Sequence, residues 1–132
     1  MILGVGTDIV KIARIASDIE KFSDRFLQHC FTDYELNYAK QKKALLPSTL
    51  AKRFAGKEAV SKALGVGIAK GITLKDIEIR NDENGMPYVV LYNEALKFLE
   101  KKAKSDTLPK VYISLADEED YALAYVIIET LA

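Results

Sequence analysis

Apolar and polar positions change period several times along the chain, and each change marks an element. Met1 to Val10, MILGVGTDIV, is an almost unbroken apolar run with glycines at 4 and 6. It predicts a buried strand at the chain start, with glycines that let another backbone or a ligand come close. Ile12, Ile15, Ile19, Phe22 and Phe26 follow at helical spacing and predict a helix with one apolar face. Thr32 with Glu35 three residues later is a capping-box signature for a short second helix, which Lys40, Lys42 and Lys43 close at the negative end of its dipole. Leu45, Leu46 and Pro47 break the pattern, and Ser48 or Thr49 stands where it can cap the next helix.

That third helix, read from Leu50 to Gly67, LAKRFAGKEAVSKALGVG, carries two unlike arcs at about 100° per residue. Ala55, Gly56, Ala59, Val60, Ala63 and Leu64 form a narrow stripe of small and apolar side chains that can lie close against a sheet. Arg53, Phe54, Lys57, Glu58, Ser61 and Lys62 form the other arc, which suits an anion and a metal. Glu58 and Lys62 are also spaced i, i+4, so a plain surface pair accounts for them equally.

Beyond the helix come Gly65, Gly67 and Gly71. Phosphate-cradling loops place their glycines before a helix, so these read as a helix stop. Asp76 to Asn81 and Met86 to Tyr92 flank Asn84-Gly85, a tight-turn signal, and predict a hairpin with Pro87 near a strand start. Asn93 is placed to cap a helix running to about Lys104 with Ala95, Leu96, Phe98 and Leu99 on its apolar side. Val111 to Leu115 and Tyr121 to Glu129, joined by the acidic link ADEED, predict a second hairpin. Tyr121, Leu123, Tyr125 and Ile127 alternate with Ala122, Ala124, Val126 and Ile128, so both faces of the last strand are apolar and call for cover by helices or a neighbouring subunit.

Composition narrows the class. A chain of 132 residues, 49% hydrophobic and 29% charged, is expected to form one domain spanning 1–132. Its formal net charge is zero, so no global field draws it to nucleic acid or a membrane, and recognition by charge has to come from local patches. Cys30 is the single cysteine, and neither a membrane span nor a signal peptide is apparent, which points to a reducing, cytoplasmic compartment. His29, the only histidine, stands apart from the charged motifs.

Three features carry chemistry. Asp8, set in the apolar opening, is costly if buried without a partner; it serves either as an N-cap for the first helix or as a metal ligand. Asp8 and Glu58, two carboxylates with no histidine or cysteine among them, favour a hard cation such as Mg²⁺, and nearby lysine and arginine would neutralise phosphate. Lys11, Arg14, Lys21 and Arg25 recur opposite the isoleucines of the first helix, as a solvated face or a docking strip for an acidic partner. Spacing alone does not bring Asp8 to Glu58.

GTDIV at Gly6 to Val10, FTDYEL at Phe31 to Leu36, AKRFAGKEAVSKALGVGI at Ala51 to Ile68, the NGMP turn at Asn84 to Pro87 and the tail YISLADEEDYALAYVIIE together resemble the bacterial holo-[acyl-carrier-protein] synthases. These are the small, single-domain 4′-phosphopantetheinyl transferases, and the resemblance spans nearly the whole chain. It implies an α+β fold, a small mostly antiparallel sheet packed with helices, assembled as a homotrimer with active sites at subunit interfaces. It implies transfer of the 4′-phosphopantetheine arm of coenzyme A to a serine of apo acyl carrier protein, releasing adenosine 3′,5′-bisphosphate in support of fatty acid biosynthesis.

On the matching positions, Asp8 and Glu58 would hold Mg²⁺ and Lys62 would approach the pyrophosphate, making Glu58 and Lys62 the catalytic pair. Glu58, directly or through a water it orients, is the first choice to accept the serine proton. Arg53, Lys62, Gly65, Gly85 and Pro87 are the expected coenzyme A contacts. Arg14, Lys21 and Arg25 become docking residues for an acidic carrier protein. Many relatives place a histidine after the Ser-x-Ser of the penultimate strand, where this chain reads Ser114-Leu115-Ala116-Asp117. Two other readings compete: a binding module that kept the fold without the chemistry, and a Mg²⁺-dependent hydrolase of nucleotide pyrophosphates.

Overall fold

The structure, a computed structural model, describes residues 1–131. Strand β1 (Ile2–Lys11) passes without a loop into α1 (Ile12–Cys30), then α2 (Asp33–Lys40) and α3 (Leu46–Ala63) follow. Strands β2 (Ile77–Asn81) and β3 (Pro87–Leu91) form the first hairpin, α4 (Asn93–Lys101) comes next, and β4 (Lys110–Glu118) with β5 (Tyr121–Glu129) forms the second. The strands make two antiparallel sheets, one ordered β1-β5-β4 and the other β2-β3. The α+β expectation holds.

Because β1 runs directly into α1, Lys11 is the N-cap and makes no side-chain cap bond. Asp8 therefore lies inside the strand, paired with Ala124, and the capping role is excluded. Ser48 and Thr49 do not cap α3 either: Leu45 is the N-cap, Pro47 sits in the first turn where its missing N–H costs nothing, and Ser48 donates its hydroxyl to the Leu45 carbonyl at 3.0 Å. Asn93 adopts a left-handed backbone (φ 51°) and donates its side-chain amide to Asp76 at 2.9 Å, while Tyr92 is the N-cap of α4. The link ADEED is mostly strand, with only Glu119 and Asp120 left as the turn. Backbone pairing to β5 outweighs the low strand propensity of the acidic residues.

Helix α3 is the hub. It lies on β1 and β5 through Ala55, Ala59 and Ala63, all buried, as the small-residue stripe predicts. Its other arc is not solvated: Arg53, Phe54, Lys57 and Ser61 are buried too, beneath α2 and β2. The inner face of the main sheet carries Gly6, Val10, Ala122, Ala124, Val126 and Ile128, all buried. Its outer face carries Val5, Ile9, Tyr112, Tyr121, Leu123 and Tyr125, all exposed in the single chain. Helices thus cover one of the two apolar faces of β5.

Candidate active site

Two glycines set the geometry. On β1, Gly4, Gly6, Asp8 and Val10 share the face turned to α3, since side chains alternate along a strand. A Cβ on Gly6 would stand 1.9 Å from the Ala59 carbonyl oxygen, and one on Gly4 would stand 2.0 Å from that of Ala63. Only glycine permits that approach, and it brings the next inward residue, Asp8, up to the side chains of α3.

There Lys62 Nζ lies 3.0 Å from Asp8 Oδ1 and donates to the Thr7 carbonyl at 3.1 Å. Lys62 therefore answers Asp8 across the strand and not Glu58 along the helix, which removes the surface-pair reading. Glu58 is half-buried, and its backbone carbonyl accepts the Ser61 hydroxyl at 2.6 Å. Burial pushes the Glu58 carboxyl above its ordinary value, the charge of Asp8 pushes the same way, and Lys62 and Arg14 oppose both. Two carboxylates close enough to feel one another, with one ammonium between strand and helix, can hold one hard cation. Among the described residues no three His, Cys, Asp or Glu side chains form a metal-binding group. A cation bound here would take its remaining ligands from phosphate and water, which matches the habit of Mg²⁺.

One turn and more back along α3, Arg53 opens a second group. A cavity of about 260 Å³ is lined by Tyr38, Lys42, Lys52, Arg53, Asn81, Gly85 and Pro87, among others. The Arg53 guanidinium lies 4.2 Å from the Tyr38 ring centre and donates through Nη2 to Asn81 Oδ1. Its Nε is buried with no hydrogen-bond partner, although burial already weighs against the charged guanidinium. Lys52 is paired with Asp117 at 3.0 Å. Sequence reasoning found Arg53, Gly85 and Pro87 but missed Tyr38, Lys42, Lys52 and Asn81, whose only signal was their density of cations and amides.

Gly65 does not join that cavity. It lies past the far end of α3 with φ 92°, where the nearest atom to an added Cβ is Lys102 Nζ at 4.0 Å. Asp8, Glu58 and Lys62 do not line the cavity either, so the expected site is split into two groups within the chain. Behind both lies an ion pair the sequence did not reveal: Lys57 Nζ is 2.6 Å from Glu35 Oε1, and both side chains are fully buried. Burial lowers the Lys57 ammonium from its ordinary value, and Glu35 works against that shift.

Arg14, Lys21 and Arg25 are all exposed. The Arg14 guanidinium lies 5.4 Å from the Phe54 ring centre. Ser23 breaks α1 with φ 48°, so Arg25 belongs to a separate segment and the three do not form one straight strip. His29 lines a shallow groove with Phe22, Arg25 and Phe26, away from the carboxylates.

Residues 4–126 match the family model of the 4′-phosphopantetheinyl transferase superfamily. The chain is 41% identical to the holo-[acyl-carrier-protein] synthase of Rhizobium leguminosarum bv. trifolii, over 99% of this chain and 97% of that one. It is 45% identical to that of Shewanella frigidimarina, over 98% of each. Among solved structures it is similar to the holo-[acyl-carrier-protein] synthase of Neisseria meningitidis, with a TM-score of 0.85, 40% identity and coverage of 98% and 100%. It is also similar to the Bacillus anthracis synthase in complex with CoA (3′,5′-ADP), with a TM-score of 0.78, 35% identity and 98% of both chains covered.

Proposed function

The chain belongs to the 4′-phosphopantetheinyl transferase superfamily, and from that premise we propose how its own residues carry the reaction. It is a transferase that moves the 4′-phosphopantetheine arm of coenzyme A to a serine of apo acyl carrier protein, giving holo carrier protein and adenosine 3′,5′-bisphosphate. Asp8 and Glu58 hold a Mg²⁺ ion, which supplies neutralisation of diphosphate charge when bound. The observation that carries this reading is the glycine-backed approach of β1 to α3, which sets Asp8 against Lys62 at 3.0 Å beside Glu58.

Phosphoryl transfer asks a protein chiefly for position and for compensation of charge on the transferring oxygens. Lys62 spends two of its three N–H groups on Asp8 and Thr7, which fixes the third for a diphosphate oxygen as the leaving bisphosphate gains charge. Glu58, its carboxyl raised by burial, takes the serine proton directly or through a water that it orients. Arg53, Gly85 and Pro87, which line the cavity, receive the nucleotide end, with the Arg53 guanidinium supplying positive charge for a phosphate. Gly65 gives the chain room at the pantetheine side of Lys62.

The two groups are joined in a homotrimer. The outer apolar face of the sheet supports this: Ile9, next to Asp8, lines a shallow pocket on it with Tyr121 and Leu123, and Asp117, which turns inward to pair with Lys52 of the cavity, borders the same pocket. A neighbour packed there sets one chain's carboxylates opposite another chain's cavity. Arg14, Lys21 and Arg25 dock the acidic carrier. No helix among the described residues is long and apolar enough to cross a membrane, and we place the enzyme, a single domain over 1–132, in the cytoplasm, serving fatty acid biosynthesis.

Incubation with coenzyme A, Mg²⁺ and apo carrier protein, followed by weighing of the carrier, tests the reading. Transfer adds about 340 Da, the mass of the phosphopantetheinyl arm as a covalent modification. Cleavage of coenzyme A without a gain on the carrier would assign a hydrolase. Neither product would leave a binding module.

A further inference from the structure

The free edge of β2 has no strand beside it. In the two-stranded sheet its other edge is paired with β3, so the backbone groups on the free edge need partners from elsewhere. The buried ion pair supplies them. Lys57 Nζ donates to the carbonyl oxygens of Ile77 and, at 3.0 Å, of Leu74, while Glu35 Oε2 accepts the Ile79 N–H at 2.8 Å. Glu35 Oε1 takes the ammonium and also the Thr32 N–H at 2.9 Å. The three donors of Lys57 are thus all used, and the pair binds α2, α3 and β2 into one unit.

Two residues beyond Ile79 stands Asn81. It accepts from Arg53, and its amide donates to the Gly85 carbonyl at 2.9 Å, so it links α3 to the turn that walls the cavity. A neighbouring strand can slip by two residues and recover its bonds; one carboxylate and one ammonium fixed to Ile77 and Ile79 cannot. Buried ion pairs contribute little to stability beside a well-packed apolar pair, but they define register.

We propose that the Lys57–Glu35 pair is a positioning device for the nucleotide cavity, pinning β2 so that Asn81 can orient Arg53 and Gly85 toward the bisphosphate end of coenzyme A. This rests on the reading that the cavity takes that nucleotide. Neither residue touches the substrate. The pair acts through β2: its hydrogen bonds and ion pair run to Thr32, Leu74, Ile77 and Ile79 and not to Asp8 or the Glu58 carboxylate.

The test is the double variant Lys57→Met/Glu35→Leu, which keeps volume and leaves no lone buried charge. It is expected to fold with a wild-type circular dichroism spectrum but a lowered urea midpoint, because the Leu74 and Ile77 carbonyls and the Thr32 and Ile79 N–H groups lose their partners. Its dissociation constant for adenosine 3′,5′-bisphosphate, read by calorimetry, and its KM for coenzyme A are expected to rise roughly tenfold or more, within the roughly 10²-fold that a misplacement of about 1 Å can cost. Its KM for carrier protein and its kcat at saturating coenzyme A stay at the wild-type values. Asn81→Ala alone reproduces the loss, and adding it to the double variant costs little more, because both act on one linkage. Wild-type affinity in the double variant overturns the inference, and so does failure to fold, which would make the pair a stability element. Failure of the wild-type chain itself to bind the bisphosphate would instead overturn the functional reading beneath it.

Discussion

Gly6 faces Ala59 so closely that no side chain can stand between them: a Cβ there would lie 1.9 Å from the Ala59 carbonyl oxygen and 2.8 Å from the Ala63 nitrogen. The atoms it would strike belong to the backbone of a buried helix and cannot swing aside. Gly6→Ala must therefore separate β1 from α3, and with them Asp8 from Glu58 and Lys62. Overpacking of this kind costs typically about 1–3 kcal/mol, and a rigid obstacle puts it at the upper end. Urea denaturation should report that loss together with loss of transfer. A variant of wild-type stability and activity would mean that the strand is free to stand off the helix.

Glu58→Gln keeps the shape of the side chain and removes its charge. The half-buried position tolerates a neutral group, since burial already favours one, so the fold is expected to persist. Transfer should fall by at least about 10²–10⁴-fold, the usual contribution of a positioned base, and excess Mg²⁺ should not restore it. Turnover near the wild-type rate, measured by mass gain on the carrier, would remove Glu58 from the mechanism.

Arg14 is exposed on α1 ahead of the break at Ser23, and of the three proposed docking residues it is the one whose charge acts on Glu58. Arg14→Glu should raise the KM for carrier protein roughly tenfold, or ~1.4 kcal/mol, with most of the effect lost at high salt. The KM for coenzyme A should move far less. Equal changes in both constants would place Arg14 in the catalytic group and not on a docking surface.

Cys30 is 3% exposed, and burial pushes its thiol from 9.0 up to about 11. The folded chain keeps this proton while the unfolded chain gives it up, so its linkage to stability is neutral below about pH 9 and unfavourable as pH rises toward 11. Iodoacetamide should leave the native protein unmodified at pH 8 and label it fully in urea. Between pH 8 and 10.5 the urea midpoint of Cys30→Ala should fall less than that of the wild-type chain. Equal slopes would show that the thiol titrates alike in both states.

What the sequence disclosed follows the range of its physical signals. The Thr32–Glu35 box and the Asn84-Gly85 hairpin are contained within one turn of chain, and both appear as read. Asp8, Glu58 and Lys62 were legible as residue types, yet the contact of Asp8 with Lys62 depends on Gly4 and Gly6 passing beneath α3, a packing relation that spacing does not encode. Lys57 read as part of an anion-facing arc because its partner, Glu35, is claimed locally by a capping box; one carboxylate serves both the helix end and the buried ammonium. The break at Ser23 was hidden for another reason. The apolar spacing of α1 continues through it, and a serine in a left-handed backbone leaves no mark on hydrophobic periodicity.

Leu123 carries the remaining prediction. It pairs in register with Ile9 on β1 and Ala116 on β4, on the central strand of the outer sheet face near the β4–β5 turn, and is 43% exposed in the single chain. With Val5, Ile9, Tyr112, Tyr121 and Tyr125 it forms an apolar surface of the kind that marks an interface between proteins. Its neighbour Ala122 points into the core and is fully buried, so Leu123 can be changed without touching the packing of α3. Leu123→Asp should therefore leave the circular dichroism spectrum unchanged, convert the proposed trimer to monomers in sedimentation, and abolish transfer by parting one chain's carboxylates from the next chain's cavity. An active monomer would show that a single chain completes the site alone, and a persistent trimer would place the subunit contact on another face.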